Sequence, residues 1–121
     1  MPFWSRKQRP TEIHHEPRVD FLGEQDGGPE RELKAALTDE FVASASVELA
    51  YLARVSYGDP NAYEVALCLH APEDPVLVER IGRVFAAQFG RAQHLDIMFL
   101  TSLDEARLLQ VCAPFYRRNA G

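Results

Sequence analysis

Cysteine is scarce in this chain, which holds two in 121 residues, Cys68 and Cys112. Two cysteines are too few for the disulfide framework of a small secreted domain, and both lie in segments predicted to be regular structure, so we expect buried thiols. Long apolar runs are also missing: no stretch approaches the ~20 residues that span a bilayer, and the N-terminus has no apolar signal core. We therefore predict a cytoplasmic protein without stable membrane insertion.

Positive charge is scarce outside the N-terminus. The formal net charge is −5, and residues 1–18 carry +2 of it, which leaves −7 for the rest of the chain. Nucleic-acid binding needs clustered Lys and Arg to neutralise phosphates, so we predict no nucleic-acid partner. Residues 1–17 hold three prolines without an apolar period. They are predicted to be a flexible leader, followed by one domain over 18–118 and a tail over 119–121.

Catalytic motifs are absent as well: the chain contains no G-x-S-x-G, H-E-x-x-H or P-loop pattern. The nearest approach to a reactive cluster is Cys68, His70 and His94. Cys68 and His70 share a face of one predicted strand, and His94 precedes another, with Asp96 or Glu64 as a candidate orienting acid. Zinc is a second interpretation, but structural zinc sites normally use four ligands in close-spaced pairs. We expect a core thiol with histidines at the rim, no metal and no cofactor.

The clearest pattern that is present runs over residues 94–116, HLDIMFLTSLDEARLLQVCAPFY. Apolar residues alternate over 95–99, which predicts a strand. Ser102 stands three residues before Glu105, the spacing of a capping box, so we expect a helix to begin there. The helix is predicted to end near Cys112, because a proline follows two residues later. Its apolar positions at helical spacing are Leu103, Ala106, Leu109 and Ala113, with Leu108 and Cys112 beside them.

Similar patterns predict the remaining elements. They are an edge strand over 19–22, a helix over 29–42, a hairpin of strands 47–55 and 63–69 around a turn at 58–61, and a helix capped by Asp74 and stopped by Gly90. The predicted order is β-α-β-β-α-β-α. This order indicates an α+β domain of two or three layers, with a mixed or antiparallel sheet of about four strands and the helices packed on it.

Alternation along the strands assigns side chains to two sheet faces. The face expected to meet the helices collects the larger side chains, Val47, Leu49, Tyr51, Val55, Tyr63, Val65, Leu67, Leu69, Leu95, Ile97 and Phe99. The centre of the other face is Ala50, Leu52, Ala66, Cys68, Met98 and Leu100. An apolar centre with a polar rim is typical of a contact surface, so these six residues are the candidate interaction face. Three occupants are open: a helix of the same chain, a second copy in a homodimer, or a protein partner.

Several segments carry a family resemblance. LGEQDGGPERELKAAL (22–37), VELAYLARV (47–55) and above all HLDIMFL with VCAPFY resemble the C-terminal domain of SseB, the bacterial enhanced-serine-sensitivity protein family. The resemblance covers about residues 18–118 and implies a stand-alone copy of that domain. It transfers no catalytic residues. A non-catalytic interaction or regulatory module fits it, with a small thiol/histidine enzyme or metal-binding protein as the alternative.

Overall fold

The computed structural model describes residues 11–13, 19–59 and 61–118 of the chain. In chain order the elements are β1 (Thr11–Ile13), β2 (Asp20–Glu24), α1 (Gly28–Ser44), β3 (Leu49–Ser56), β4 (Glu64–His70), α2 (Pro75–Phe89), β5 (Leu95–Phe99), α3 (Ser102–Leu108) and β6 (Tyr116–Arg117). From β2 to α3 this is the predicted β-α-β-β-α-β-α order, so the α+β prediction is confirmed.

The strands form one mixed sheet in the order β1-β5-β4-β3-β2. β3 and β4 are the predicted antiparallel hairpin, while β4 and β5 run parallel and are joined by α2. The short β6 pairs with β3 near its start, beyond the end of β2. Most of the predicted leader, and the tail over 119–121, lie outside the described residues; the exception is 11–13, which form β1 parallel to β5.

Helix α2 begins and ends where the sequence predicts. The Asp74 carboxylate accepts hydrogen bonds from the backbone N–H groups of Val76 and Leu77, at 3.0 and 3.4 Å. Pro75 follows at the first helical position, where its missing N–H costs nothing, and Gly90 ends the helix with φ 77°. None of the helices in the described ranges is long and apolar enough to cross a membrane.

Helix α3 differs from its prediction at both ends. Its N-cap is Thr101 instead of Ser102, and the Thr101 hydroxyl accepts a hydrogen bond from the backbone N–H of Asp104 at 3.1 Å. Its last helical residue is Leu108, four residues before the predicted end. The chain tightens there into a turn, because the N–H of Val111 bonds to the carbonyl of Leu108 only three residues earlier.

One face of the sheet packs against α1 and α2 and forms the larger core. The helices contribute Leu33, Leu37, Phe41, Leu77, Ile81 and Phe85, and the strands contribute Ala50, Leu52, Val65, Leu67, Leu69, Leu95 and Ile97. All are at most 1% exposed. Full burial of side chains of this size contributes about 1.5–3 kcal/mol each relative to exposure, so this face supplies most of the apolar stabilisation.

The opposite face, here called the α3 face, packs against α3 and the turn after it. Its buried members are Val19, Tyr51, Ala53, Val55, Ala66, Cys68 and Met98, covered by Leu108 and Cys112. Helices on both sides of the sheet make the domain three-layered, with α1 and α2 on one side and α3 on the other.

The side chains of strand β3 point to the opposite faces from those predicted. Ala50 and Leu52 face α1 and α2, whereas Tyr51 lies on the α3 face opposite Cys68. The cause is a bend at Glu48, which places Val47 on the same face as Ala50. Counting a strict alternation from Val47 therefore puts the strand one residue out of phase, which exchanges its faces. The predicted faces of β4 and β5 are confirmed.

Candidate functional site

The α3 face is covered by a helix of the same chain, one of the three occupants that the sequence leaves open. Leu108 and Cys112 are 0% and 5% exposed and pack against Cys68 and Met98. Arg107 ties the helix to the start of β2, since its guanidinium donates to the carbonyl oxygen of Val19 at 2.5 Å. Four of the six residues of the candidate interaction face, Ala66, Cys68, Met98 and Leu100, belong to this covered surface.

A buried polar network occupies one end of the α3 face. The Tyr57 hydroxyl donates to Oδ2 of Asp96 at 2.9 Å, and Oδ1 of the same carboxylate contacts Nε2 of His94. Asp96 and His94 are 0% and 1% exposed. Burial raises the pKa of Tyr57, and the charge of Asp96 raises it further, so the tyrosine stays protonated and acts as a donor. We call these three residues the buried network.

A second network with the same three kinds of group occupies the other end. The Tyr51 hydroxyl donates to Oε2 of Glu105 at 2.8 Å, and Oε1 of Glu105 lies 2.9 Å from Nδ1 of His70. Burial raises the pKa of Tyr51, and the hydrogen bond to Glu105 adds to that effect. The His70 side chain is 52% exposed and that of Glu105 is 15% exposed. We call these three residues the rim network.

The rim network fixes the orientation of an accessible imidazole. An ionised carboxylate can only accept, so Nδ1 of His70 carries the hydrogen that points at Glu105. Nε2, on the other side of the ring, then faces away from the carboxylate. This is the arrangement that orients a histidine for contact with another group.

Cys68 lies between the two networks and is inaccessible. It is 0% exposed, and its thiol donates a weak hydrogen bond to the carbonyl oxygen of Ala66, at 3.9 Å. Burial is the largest cause that raises the pKa of Cys68, with Cys112 adding to it. Burial likewise raises the pKa of Cys112, to about 11. Both groups are therefore thiols and not thiolates at neutral pH, and a thiol is a poor nucleophile and a poor metal ligand.

Cys68, His70 and His94 do not converge. Ala66 is opposite Asp96 in the parallel pair β4 and β5, so His94 is level with the start of β4. At about 3.3 Å per residue, His94 lies about 13 Å from Cys68 along the sheet and about 20 Å from His70. Each histidine contacts a different carboxylate. Within the described ranges, no three His, Cys, Asp or Glu side chains gather into a group that could hold a metal ion.

The side of α3 that faces away from the sheet is apolar. Leu103 and Leu109 are 72% and 53% exposed, and Ala106 and Ala113 are exposed as well. Leu103, Ala106 and Leu109 are here called the outer stripe; with Ala113, which lies beyond the end of the helix, they are the residues whose helical spacing predicts a buried face. Only their neighbours Leu108 and Cys112 are buried. Val111, in the turn after the helix, is a further exposed apolar side chain at 42%.

An open groove lies beside the rim network and is lined by Glu48, Leu49, His70, Arg117 and Arg118. Arg118 is held in place: its guanidinium contacts the Glu48 carboxylate and donates to the carbonyl oxygen of Ala45 at 2.7 Å. Through these contacts Arg118 links the segment after β6 to the end of α1. Arg117, one residue earlier, projects from the side of β6 opposite to Arg118 and is exposed.

Sequence reasoning missed most of this polar architecture. The spacing of His94 and Asp96, two residues apart on a strand, does predict a shared face. The capping-box spacing predicts a capping role for Glu105, and the predicted phase of β3 places Tyr51 on the face of α1 and α2 instead of the α3 face. No local signal in the sequence joins Tyr57 to Asp96, which is 39 residues away.

The fold defines the structural class of this chain. It is a three-layer α+β domain in which one helix covers a partly polar sheet face. Within it, a family model described as the SseB protein C-terminal domain matches residues 22–118. The match covers most of the chain, so the chain belongs to the SseB C-terminal domain family, as the sequence resemblance indicates. Comparisons with curated proteins and with solved structures return no match.

Proposed function

We propose that this chain is a non-catalytic protein-interaction module of the bacterial cytoplasm, and that it contacts its partner through the outer stripe of α3. The observation that carries the proposal is the exposure of Leu103 and Leu109, on a short helix whose apolar spacing is that of a buried face. Clustered exposed apolar side chains are typical of protein contact sites. Polar and charged neighbours such as Arg107 and Gln110 supply the rim that such sites have.

Helix α3 is also well suited to present this stripe. Leu108 and Cys112 anchor its inner side to the sheet, and Arg107 and Glu105 tie it to β2 and to the rim network. A rigidly held helix loses little conformational freedom when a partner binds, which favours affinity. A partner would meet Ala66, Cys68, Met98 and Leu100, the covered part of the candidate face, only after α3 had moved off the sheet.

The separation of the reactive side chains supports a binding role over the thiol/histidine alternative. Cys68 is buried as a thiol, and the two histidines occupy opposite ends of the α3 face. The acidic balance of the chain supports a protein partner and not a nucleic acid. A second copy of the chain is the alternative occupant of the outer stripe.

Substitution of the stripe tests this proposal. Leu103→Glu places a charge at its most exposed leucine, and Val76→Glu is the matched control, because Val76 is 61% exposed on α2 at the other side of the sheet. Each variant and the parent chain are used to capture proteins from native lysate. In parallel, sedimentation equilibrium over a range of concentrations measures self-association.

We expect one stoichiometric partner, or a dimer, that is retained by Val76→Glu and lost by Leu103→Glu. Unfolding midpoints in urea should be the same for all three chains, because both positions are exposed. Equal retention of the partner by both variants, or a parent chain that is monomeric and retains nothing, would contradict the proposal.

A further inference from the structure

Three residues form a row across strands β4, β3 and β6 at the open end of the α3 face. Leu49 is directly opposite His70 in β4 and directly opposite Arg117 in β6. Residues opposite each other in paired strands point to the same face, and strands lie about 4.8 Å apart, so the Cα atoms of His70 and Arg117 are about 10 Å apart with Leu49 between them. Both side chains are long enough to converge above the leucine, and all three residues line the groove.

The charge of Arg117 is not compensated within this groove. The nearby carboxylates have other partners. Glu48 contacts Arg118. Glu105 accepts from Tyr51 and lies beside His70. Among the residues that the structure describes, no carboxylate lies within ion-pair distance of the Arg117 guanidinium. A guanidinium offers a planar pair of N–H donors that matches a carboxylate, and it keeps its charge at all physiological pH values.

The opposite end of the row carries an imidazole ring of fixed orientation. Glu105 and Tyr51 hold the His70 ring by Nδ1, which leaves Nε2 on the side away from the carboxylate. Tyr51 is fully buried, so the support for Glu105 does not move with the surface. The Nε2 atom donates to a carboxylate whenever the ring carries its second proton, and Leu49, half-buried between the two basic side chains, offers an apolar floor.

We propose that His70, Leu49 and Arg117 form a site for a carboxylate group of a partner peptide, with the aliphatic part of the same residue or of its neighbour resting on Leu49. The groove is open and its lining includes all three residues, so a peptide segment can reach them together. The inference rests on the proposed function only in taking a protein segment as the ligand. It uses residues outside the outer stripe, so the two proposals can fail separately.

The test is a titration of the isotope-labelled chain followed by NMR, with three short probes. Acetyl-Ala-Leu-Glu-Leu-Ala-amide carries a side-chain carboxylate, and acetyl-Ala-Leu-Ala-Leu-Ala carries only a terminal one. Acetyl-Ala-Leu-Gln-Leu-Ala-amide is neutral. We expect saturable shifts at Leu49, His70 and Arg117 with one or both acidic probes, and the probe that binds identifies the source of the carboxylate.

Two variants and one control localise the binding. Arg117→Gln should weaken it at least about tenfold, because it removes a permanently charged donor, and His70→Gln by several-fold, because it removes the ring that donates when protonated. Arg80→Gln, an exposed arginine on α2 at the other side of the sheet, should leave it unchanged. The spectra of all variants report directly whether they are folded. Equal binding of the neutral probe, binding that is unaffected by Arg117→Gln, or no saturable shift with either acidic probe would overturn the proposal.

Discussion

The buried network and the rim network use the same three kinds of side chain at opposite ends of one sheet face. Each carboxylate accepts from a tyrosine hydroxyl and contacts a histidine ring. They differ in access: His94 is 1% exposed, whereas the His70 side chain is 52% exposed. His94 and Asp96 are closed to a ligand, whereas the His70 ring can meet one directly. Similar chemistry therefore has different accessibility at the two ends.

Removing the carboxylates should give the largest contrast between the networks. Asp96→Ala removes a fully buried carboxylate that accepts from Tyr57 and contacts the buried His94 ring, which typically costs about 3–5 kcal/mol of unfolding free energy. Glu105→Ala should cost about 1–2 kcal/mol, because His70 can turn to water. Urea unfolding monitored by circular dichroism measures both. Equal losses would remove the distinction between the networks.

Removing a single hydroxyl from each network gives a smaller and cleaner contrast. Tyr57→Phe should cost about 2 kcal/mol, in the range for hydrogen bonds to charged groups, because its acceptor is fully buried. Tyr51→Phe should cost about 1 kcal/mol, since Glu105 keeps some contact with solvent. The same unfolding assay applies. A larger loss for Tyr51→Phe would show that the rim network is the main structural element.

The thiol beneath the turn after α3 gives an effect that is seen only at high pH. Burial raises the pKa of Cys112 from 9.0 to about 11, so the unfolded chain releases this proton first. The resulting stability is present below about pH 9 and is lost as the pH rises toward 11. The gap in unfolding free energy between the parent chain and Cys112→Ala should therefore narrow over that range. A constant gap would mean that this thiol titrates alike in both states.

The fold was largely predictable because its local signals are strong and agree with each other. Asp74, Pro75 and Gly90 define α2 by well-understood cap chemistry. The turn between β3 and β4, with Gly58, gave the hairpin. The phase of β3 was not predictable, because almost every residue of this strand is apolar and only the bend at Glu48 decides which set faces α1 and α2.

The candidate site was less predictable, because its contacts join distant parts of the chain. Tyr51 and Glu105 are 54 residues apart, and the short α3 brings them together. Glu105 also has the spacing of a capping box with Ser102, so the local sequence predicts a capping role for it. The structure gives the cap to Thr101 and turns Glu105 toward the sheet. The exposure of Leu103 and Leu109 likewise depends on which side of α3 meets the sheet, which helical spacing alone does not decide.

The most direct test of the account compares the two histidines in one experiment. His94→Gln and His70→Gln are each examined for urea unfolding and for binding of the acidic pentapeptide that binds the parent chain. We predict that His94→Gln loses about 2–4 kcal/mol of stability, whereas His70→Gln loses less than about 0.5 kcal/mol and weakens peptide binding several-fold. Equal stability losses, or unchanged binding by a folded His70→Gln chain, would contradict the division into a structural network and a binding network.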